Sequence, residues 1–137
     1  MIYPLITNMI WIVIVAMGLR TVPMANQPDM AKFFHALSAV ESDHNDSAVG
    51  DSGKALGRYQ IWRVYWQDSR VPGKYAQVKN KDYAEKVMIE YWKRYCPKAL
   101  KNKDFETLAR IHNGGPKGNK KQVTIKYWLK VQKHLYN

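Results

Sequence analysis

A single cysteine, Cys96, stands in 137 residues. One thiol closes no internal disulfide and builds no Cys-rich zinc site, which removes the small stapled domains and the zinc modules. The sequence also lacks HExxH, the GxxxxGK phosphate loop and GxGxxG, so common metalloprotease and nucleotide-binding chemistries have no residues to run on. After residue 25 no run is apolar enough to span a bilayer. Acidic residues are scarce: 11 Asp and Glu face 22 Lys and Arg, for a net charge of +11. Such an excess favours an anionic partner: nucleic acid, a membrane surface or an acidic wall polymer. The lysines are spread along the chain and not gathered on one helix, which argues against nucleic acid.

What is present begins with an apolar N-terminus. Met9 to Met17 is unbroken, and Gly18-Leu19 carries the run to Arg20. This length suits a signal-peptide core and falls short of the ~20 residues of a membrane span. Val22-Pro23-Met24-Ala25 offers a small residue for cleavage before the polar Asn26-Gln27-Pro28. Residues 1–25 are therefore expected to be a signal segment, the alternative being an uncleaved anchor from Met1 to Leu19. Either way the working domain, residues 26–137, is expected outside the cytoplasm. A stable membrane span is not expected once the signal is cleaved.

In that domain Asp29 is placed to cap a helix carrying Met30, Phe33, Phe34, Leu37 and Val40 at helical spacing. Ser42 to Gly57 reads as a loop or short hairpin, and Ser69 to Lys81 as a loop turning at Pro72-Gly73. Asp82 to Tyr95 repeats apolar residues as a second amphipathic helix, closed by Pro97. Asp104 caps a shorter helix that stops at Asn113-Gly114-Gly115-Pro116, and Thr124 opens the last. Convincing strands are few. The pattern predicts an α-rich α+β domain with a small β or loop region after the first helix, its aromatics lying mostly in the core and supplying much of the buried area.

Three features could carry chemistry. Glu41 sits four residues after Leu37, on the apolar stripe at the end of the first helix. A carboxyl on such a stripe is costly to ionise, and a carboxyl that keeps its proton can serve as a general acid. The plainer alternative is a helix-end glutamate paired with a lysine. Asp51 is framed by Gly50, Ser52 and Gly53, where Ser52 could hold an ionised carboxylate; otherwise it simply stabilises a turn. Asp43 and Asp46 lie in the same loop without that frame. A protonated Glu and an ionised Asp across a cleft are the pair glycoside hydrolysis uses. Third, in Gly57-Arg58-Tyr59-Gln60-Ile61, Gly57 permits close approach to the main chain, Tyr59 offers a ring or hydroxyl, and Gln60 can donate and accept.

Taken together, Val40-Glu41-Ser42, the Asp51 loop and Gly57-x-Tyr59-Gln60-Ile61 with Tyr65-Trp66-x-Asp68 resemble the N-terminal half of the invertebrate-type (destabilase) lysozyme family. Tyr91-x-Lys93-Arg94-Tyr95, the block Ala109 to Gly118 and Thr124-Ile125-Lys126-Tyr127-Trp128 are similar to that family's second half. The resemblance implies a lysozyme-like fold and cleavage of the β-1,4 bond between N-acetylmuramic acid and N-acetylglucosamine in peptidoglycan. It also implies Glu41 as proton donor, Asp51 as second carboxylate, and Gly57, Tyr59, Gln60, Tyr95, His112, Asn113 and Gly114 along the sugar cleft. No cofactor or metal is implied. Animal members are stapled by many disulfides, whereas this chain has residues such as Asp43 and Asn119 at the matching positions, so its fold must rest on the aromatic core. Two alternatives stay open: a lytic transglycosylase on the same substrate, and a cationic wall- or membrane-binding protein that cuts nothing.

Overall fold

The computed structural model describes residues 27–137, so the expected signal segment lies outside the described residues. Helix α1 (Met30–Ser42) starts where Asp29 accepts a hydrogen bond from the Lys32 amide at 2.8 Å, and it ends at Asp43, which turns left-handed. A three-stranded antiparallel sheet follows, β1 (Val49–Gly50), β2 (Ala55–Leu56) and β3 (Ile61–Trp62), in sequential order. Val49 pairs with Leu56, and Leu56 in turn with Ile61. A 3-10 turn, Asp51–Gly53, joins β1 to β2. The hairpin expected after α1 is thus present, with strands only two residues long.

Three of the helices start at a capping side chain, α1 among them, while the last begins without one, a residue before Thr124. Helix α3 (Lys81–Tyr95) begins one residue earlier than expected because Asn80 caps the Tyr83 amide. Asp104 caps α5 (Phe105–Gly114) through the Thr107 amide, and α6 (Val123–Tyr136) closes the chain. Two short helices are additions to the expected pattern, α2 (Arg63–Ser69) and α4 (Pro97–Asn102). The segment read as a loop from Ser69 to Lys81 holds a 3-10 stretch, Tyr75–Lys79, whose Tyr75 hydroxyl donates to the Ile61 carbonyl at 2.7 Å. None of the described helices is long and apolar enough to cross a membrane.

The core mixes aliphatic and aromatic side chains, and the aromatics tie the helices together. Phe33 stacks on Phe105 with centroids 4.5 Å apart, and Phe34 lies over Trp92 at 5.8 Å, joining α1, α3 and α5. The Trp92 indole N–H satisfies itself on the Leu108 carbonyl at 3.1 Å. Helices α5 and α6 are brought together by the 3-10 turn Gly118–Lys120. Gly118 is obligatory there, because a Cβ would stand 2.0 Å from the Arg110 carbonyl oxygen. This buried framework fixes the end of α1 against α6, and that junction holds Glu41.

Candidate active site

Glu41 is half-buried on the last turn of α1. Its Oε1 accepts a hydrogen bond from the Tyr127 hydroxyl of α6 at 2.7 Å and lies 3.4 Å from Nε2 of His112 on α5. The expected alternative partner, a lysine, is not what meets it. Burial and the neighbouring carboxyl push the Tyr127 phenol well above its ordinary range, so this hydroxyl keeps its proton and acts as a donor. Among the described residues no protein group bonds to Oε2. Because no fully buried side-chain oxygen or nitrogen among them lacks a partner, Oε2 is within reach of solvent. The carboxyl is therefore gripped by one oxygen and presented by the other.

His112 is buried, and both its ring nitrogens have partners. Nε2 lies 3.1 Å from the Tyr59 carbonyl, which can only accept, so Nε2 carries hydrogen. Nδ1 lies 3.2 Å from the Tyr65 hydroxyl. The Tyr65 phenol, pushed well above its usual range mainly by burial, remains a donor. The Nε2–H thus points between the Tyr59 carbonyl and Glu41 Oε1. Sequence alone left His112 between a structural and a functional role; the structure makes it a bonded interior side chain that also lies 3.4 Å from the carboxyl.

Beside this group runs a cleft of about 230 Å³, lined by Gln60, Trp62, Tyr65, Asp68, His112 and Asn113 among others. One wall is an aromatic stack, Tyr65 on Tyr91 with centroids 3.6 Å apart. Asp51 is exposed in the β1–β2 turn, and its Oδ2 accepts from the Trp62 indole N–H at 3.1 Å. Trp62 itself is exposed at the cleft rim, with Lys54 Nζ 5.8 Å over its ring. Asp46, the rival carboxylate, is held by Arg58 at 2.6 Å and drawn below the ordinary carboxylate range by that bond; Asp43 is the cap that ends α1.

The remaining expected site residues divide. Gln60, His112 and Asn113 line the cleft. Tyr59 does not: its ring is 1% exposed and its hydroxyl donates to Glu85 at 2.5 Å, so its contribution is the backbone carbonyl that orients His112. Gly57 also lies inside, at φ +77°, and the close approach it permits is by the chain itself, since a Cβ would meet the Val78 carbonyl at 2.6 Å. Tyr95 supports the cleft at one remove, its hydroxyl donating to Asp68 at 3.0 Å. Gly114 is half-buried, with its carbonyl accepting from Lys121 at 2.6 Å. The residues that sequence reasoning missed are Tyr127, Tyr65 and Trp62. All three are aromatics with a polar atom, indistinguishable by pattern from the core aromatics around them.

Comparison with known proteins follows the same outline. A lysozyme of Magallana gigas is 38% identical over 85 residues, and one of Meretrix lusoria 39% identical over 81. These matches take in 61% and 58% of this chain and 62% and 66% of those proteins, so the chain spans somewhat under two thirds of each. Among solved structures, Meretrix lusoria lysozyme in complex with Aeromonas hydrophila PliI superposes with a TM-score of 0.64 at 33% identity, covering 74% of this chain and 87% of that one. Tapes japonica lysozyme gives the same TM-score, 0.64, at 32% identity over 78% of this chain and 93% of that one. The fold is therefore the lysozyme-like α+β fold. The Destabilase family matches residues 31–134, a span that takes in α1, the sheet, the cleft and nearly all of α6, and the chain belongs to that family.

Proposed function

We propose that the protein is a secreted muramidase that hydrolyses the β-1,4 bond between N-acetylmuramic acid and N-acetylglucosamine in bacterial peptidoglycan. Glu41 is its general acid and Asp51 its second carboxylate. The observation that carries this reading is the asymmetry at Glu41, with Oε1 bonded by Tyr127 and approached by His112 while Oε2 is left open. In the bond-breaking step the Oε2 proton passes to the glycosidic oxygen, and the C–O bond to the muramic sugar breaks with positive charge growing on its anomeric carbon. The Asp51 carboxylate, steadied by the Trp62 indole N–H, offsets that charge; water then supplies a hydroxyl to the anomeric carbon, and its second proton restores the Glu41 acid. The relatives' names and the shared fold support the choice of substrate. A basic chain is suited to bacterial walls, which carry carboxylates and phosphates.

Glu41→Gln tests the acid. The amide keeps size and an oxygen for the Tyr127 hydroxyl but has no proton of comparable acidity to give. Turnover of purified peptidoglycan should fall at least about a hundredfold with the melting temperature preserved, the scale expected for a general acid. Undiminished turnover would remove Glu41 from that role. Asp51→Asn should also lower turnover; if it does not, and products end in 1,6-anhydro sugars, the enzyme is a lytic transglycosylase.

A further inference from the structure

A second groove, of about 480 Å³, adjoins the cleft and shares Asp68 with it. It runs between the end of α2 and the outer face of α3, and its charged lining is Arg70, Lys86, Lys93 and Arg94 against Asp68 and Glu90. Most of these charges are already engaged. Lys93 pairs with Glu90 at 2.7 Å, Asp68 accepts from Tyr95, and Arg94 donates to the Asp68 carbonyl at 3.3 Å while its guanidinium lies 5.4 Å over the Tyr95 ring. Arg70 and Lys86 are exposed and make no ion pair among the described residues. The groove therefore holds two spare cations, one on each wall. Its other lining residues, Ser69, Val71 and Pro72, leave a mixed polar and apolar floor.

We propose that this groove is a second binding site, for the carboxylate-bearing peptide attached to the glycan that the cleft holds. This rests on the muramidase reading for the glycan itself. Two observations select that occupant. The spare charges are positive and line one groove, which suits a short chain bearing carboxylates. The shared Asp68 sets the groove directly beside the cleft, so its occupant is best supplied as a branch of the same polymer. Engaging it converts the second contact into an intramolecular one, strengthening attachment without new chemistry at the scissile bond.

The test compares the wild type with Arg70→Gln/Lys86→Gln. Neither side chain bonds to another residue, so the fold and the Glu41 centre are undisturbed. Binding is measured by co-sedimentation, which needs no turnover, on three wall preparations: walls with peptides and no phosphate polymer, the same walls stripped of peptides by an amidase, and peptide-stripped walls that retain their phosphate polymer. The proposal expects the double variant to bind peptide-bearing walls about fivefold more weakly, as two exposed charge pairs allow, and to match the wild type on stripped walls. An equal loss on peptide-bearing and stripped walls, or no loss, overturns it. A loss seen only where phosphate polymer is retained assigns the cations to phosphate and also overturns it. The two claims fail separately, because a binding contrast without cleavage sinks the muramidase reading alone, and cleavage without the contrast sinks the groove alone.

Discussion

Tyr127→Phe removes one oxygen atom and leaves the ring in place. In the intact protein that oxygen donates to Glu41 Oε1 at 2.7 Å, and without it Oε1 keeps only the His112 contact at 3.4 Å. A hydrogen bond between neutral groups contributes about 0.5–1.5 kcal/mol. Because Glu41 is only half-buried, water can replace part of the loss, and the cost is about 1 kcal/mol. For a domain of this size that lowers the melting temperature by about 4 °C. The catalytic consequence is separate: a carboxyl no longer gripped by one oxygen samples several rotamers, and few present Oε2 to the glycosidic oxygen. Turnover number should fall about tenfold, the scale of a lost positioning contact, with KM unchanged because Tyr127 is not part of the cleft lining. The assay is steady-state hydrolysis of soluble glycan, paired with thermal melts. A double-mutant cycle with Glu41→Ala should return a coupling of about 1 kcal/mol. An unchanged turnover number, or a change confined to KM, would refute the idea that Tyr127 orients the acid.

Other expectations follow from the same geometry. Trp62→Ala should raise KM about tenfold, since an aromatic rim contact contributes about 1–1.5 kcal/mol, and it should also lower turnover by freeing Asp51; steady-state kinetics will read both. Gly118→Ala drives a methyl into the Arg110 carbonyl and should cost about 1–3 kcal/mol, visible as a lower denaturant midpoint. Asp46→Asn should cost no more than about 1 kcal/mol at neutral pH, because the Asp46 side chain is half exposed and water screens its pair with Arg58. Its folded-state carboxyl titrates lower than in the unfolded chain, so this stabilisation is present above the unfolded value and fades as pH falls through the folded one. Denaturation curves of wild type and variant should therefore converge in acid and separate near neutrality.

The helices legible in the sequence were those with a capping side chain and a sustained apolar period. Asp29 and Asp104 announced α1 and α5, and Glu41 stood out because a carboxyl broke the stripe of Phe33, Phe34 and Leu37. Helices α2 and α4, with seven and six residues, are too short to show a period, and neither has a side-chain cap. At the site, adjacency in the chain misled where the fold reverses direction. Tyr59 and Gln60 are neighbours, yet Gln60 lines the cleft while the Tyr59 ring turns into the core to reach Glu85. Tyr127 lies 86 residues from the carboxyl it holds, a contact made only by packing α6 against α1. That many aromatics would be buried was foreseeable from composition; which of them would instead serve the site was not.

The proposed function turns on Glu41 delivering a proton to a glycosidic bond that water then cleaves. The decisive experiment is digestion of purified peptidoglycan in water enriched in heavy oxygen, followed by mass spectrometry of the released fragments. The label should appear on the new reducing muramic end with the wild type, and Glu41→Gln should release almost no fragments. Unlabelled anhydro ends, or labelled fragments released equally by the variant, would contradict it.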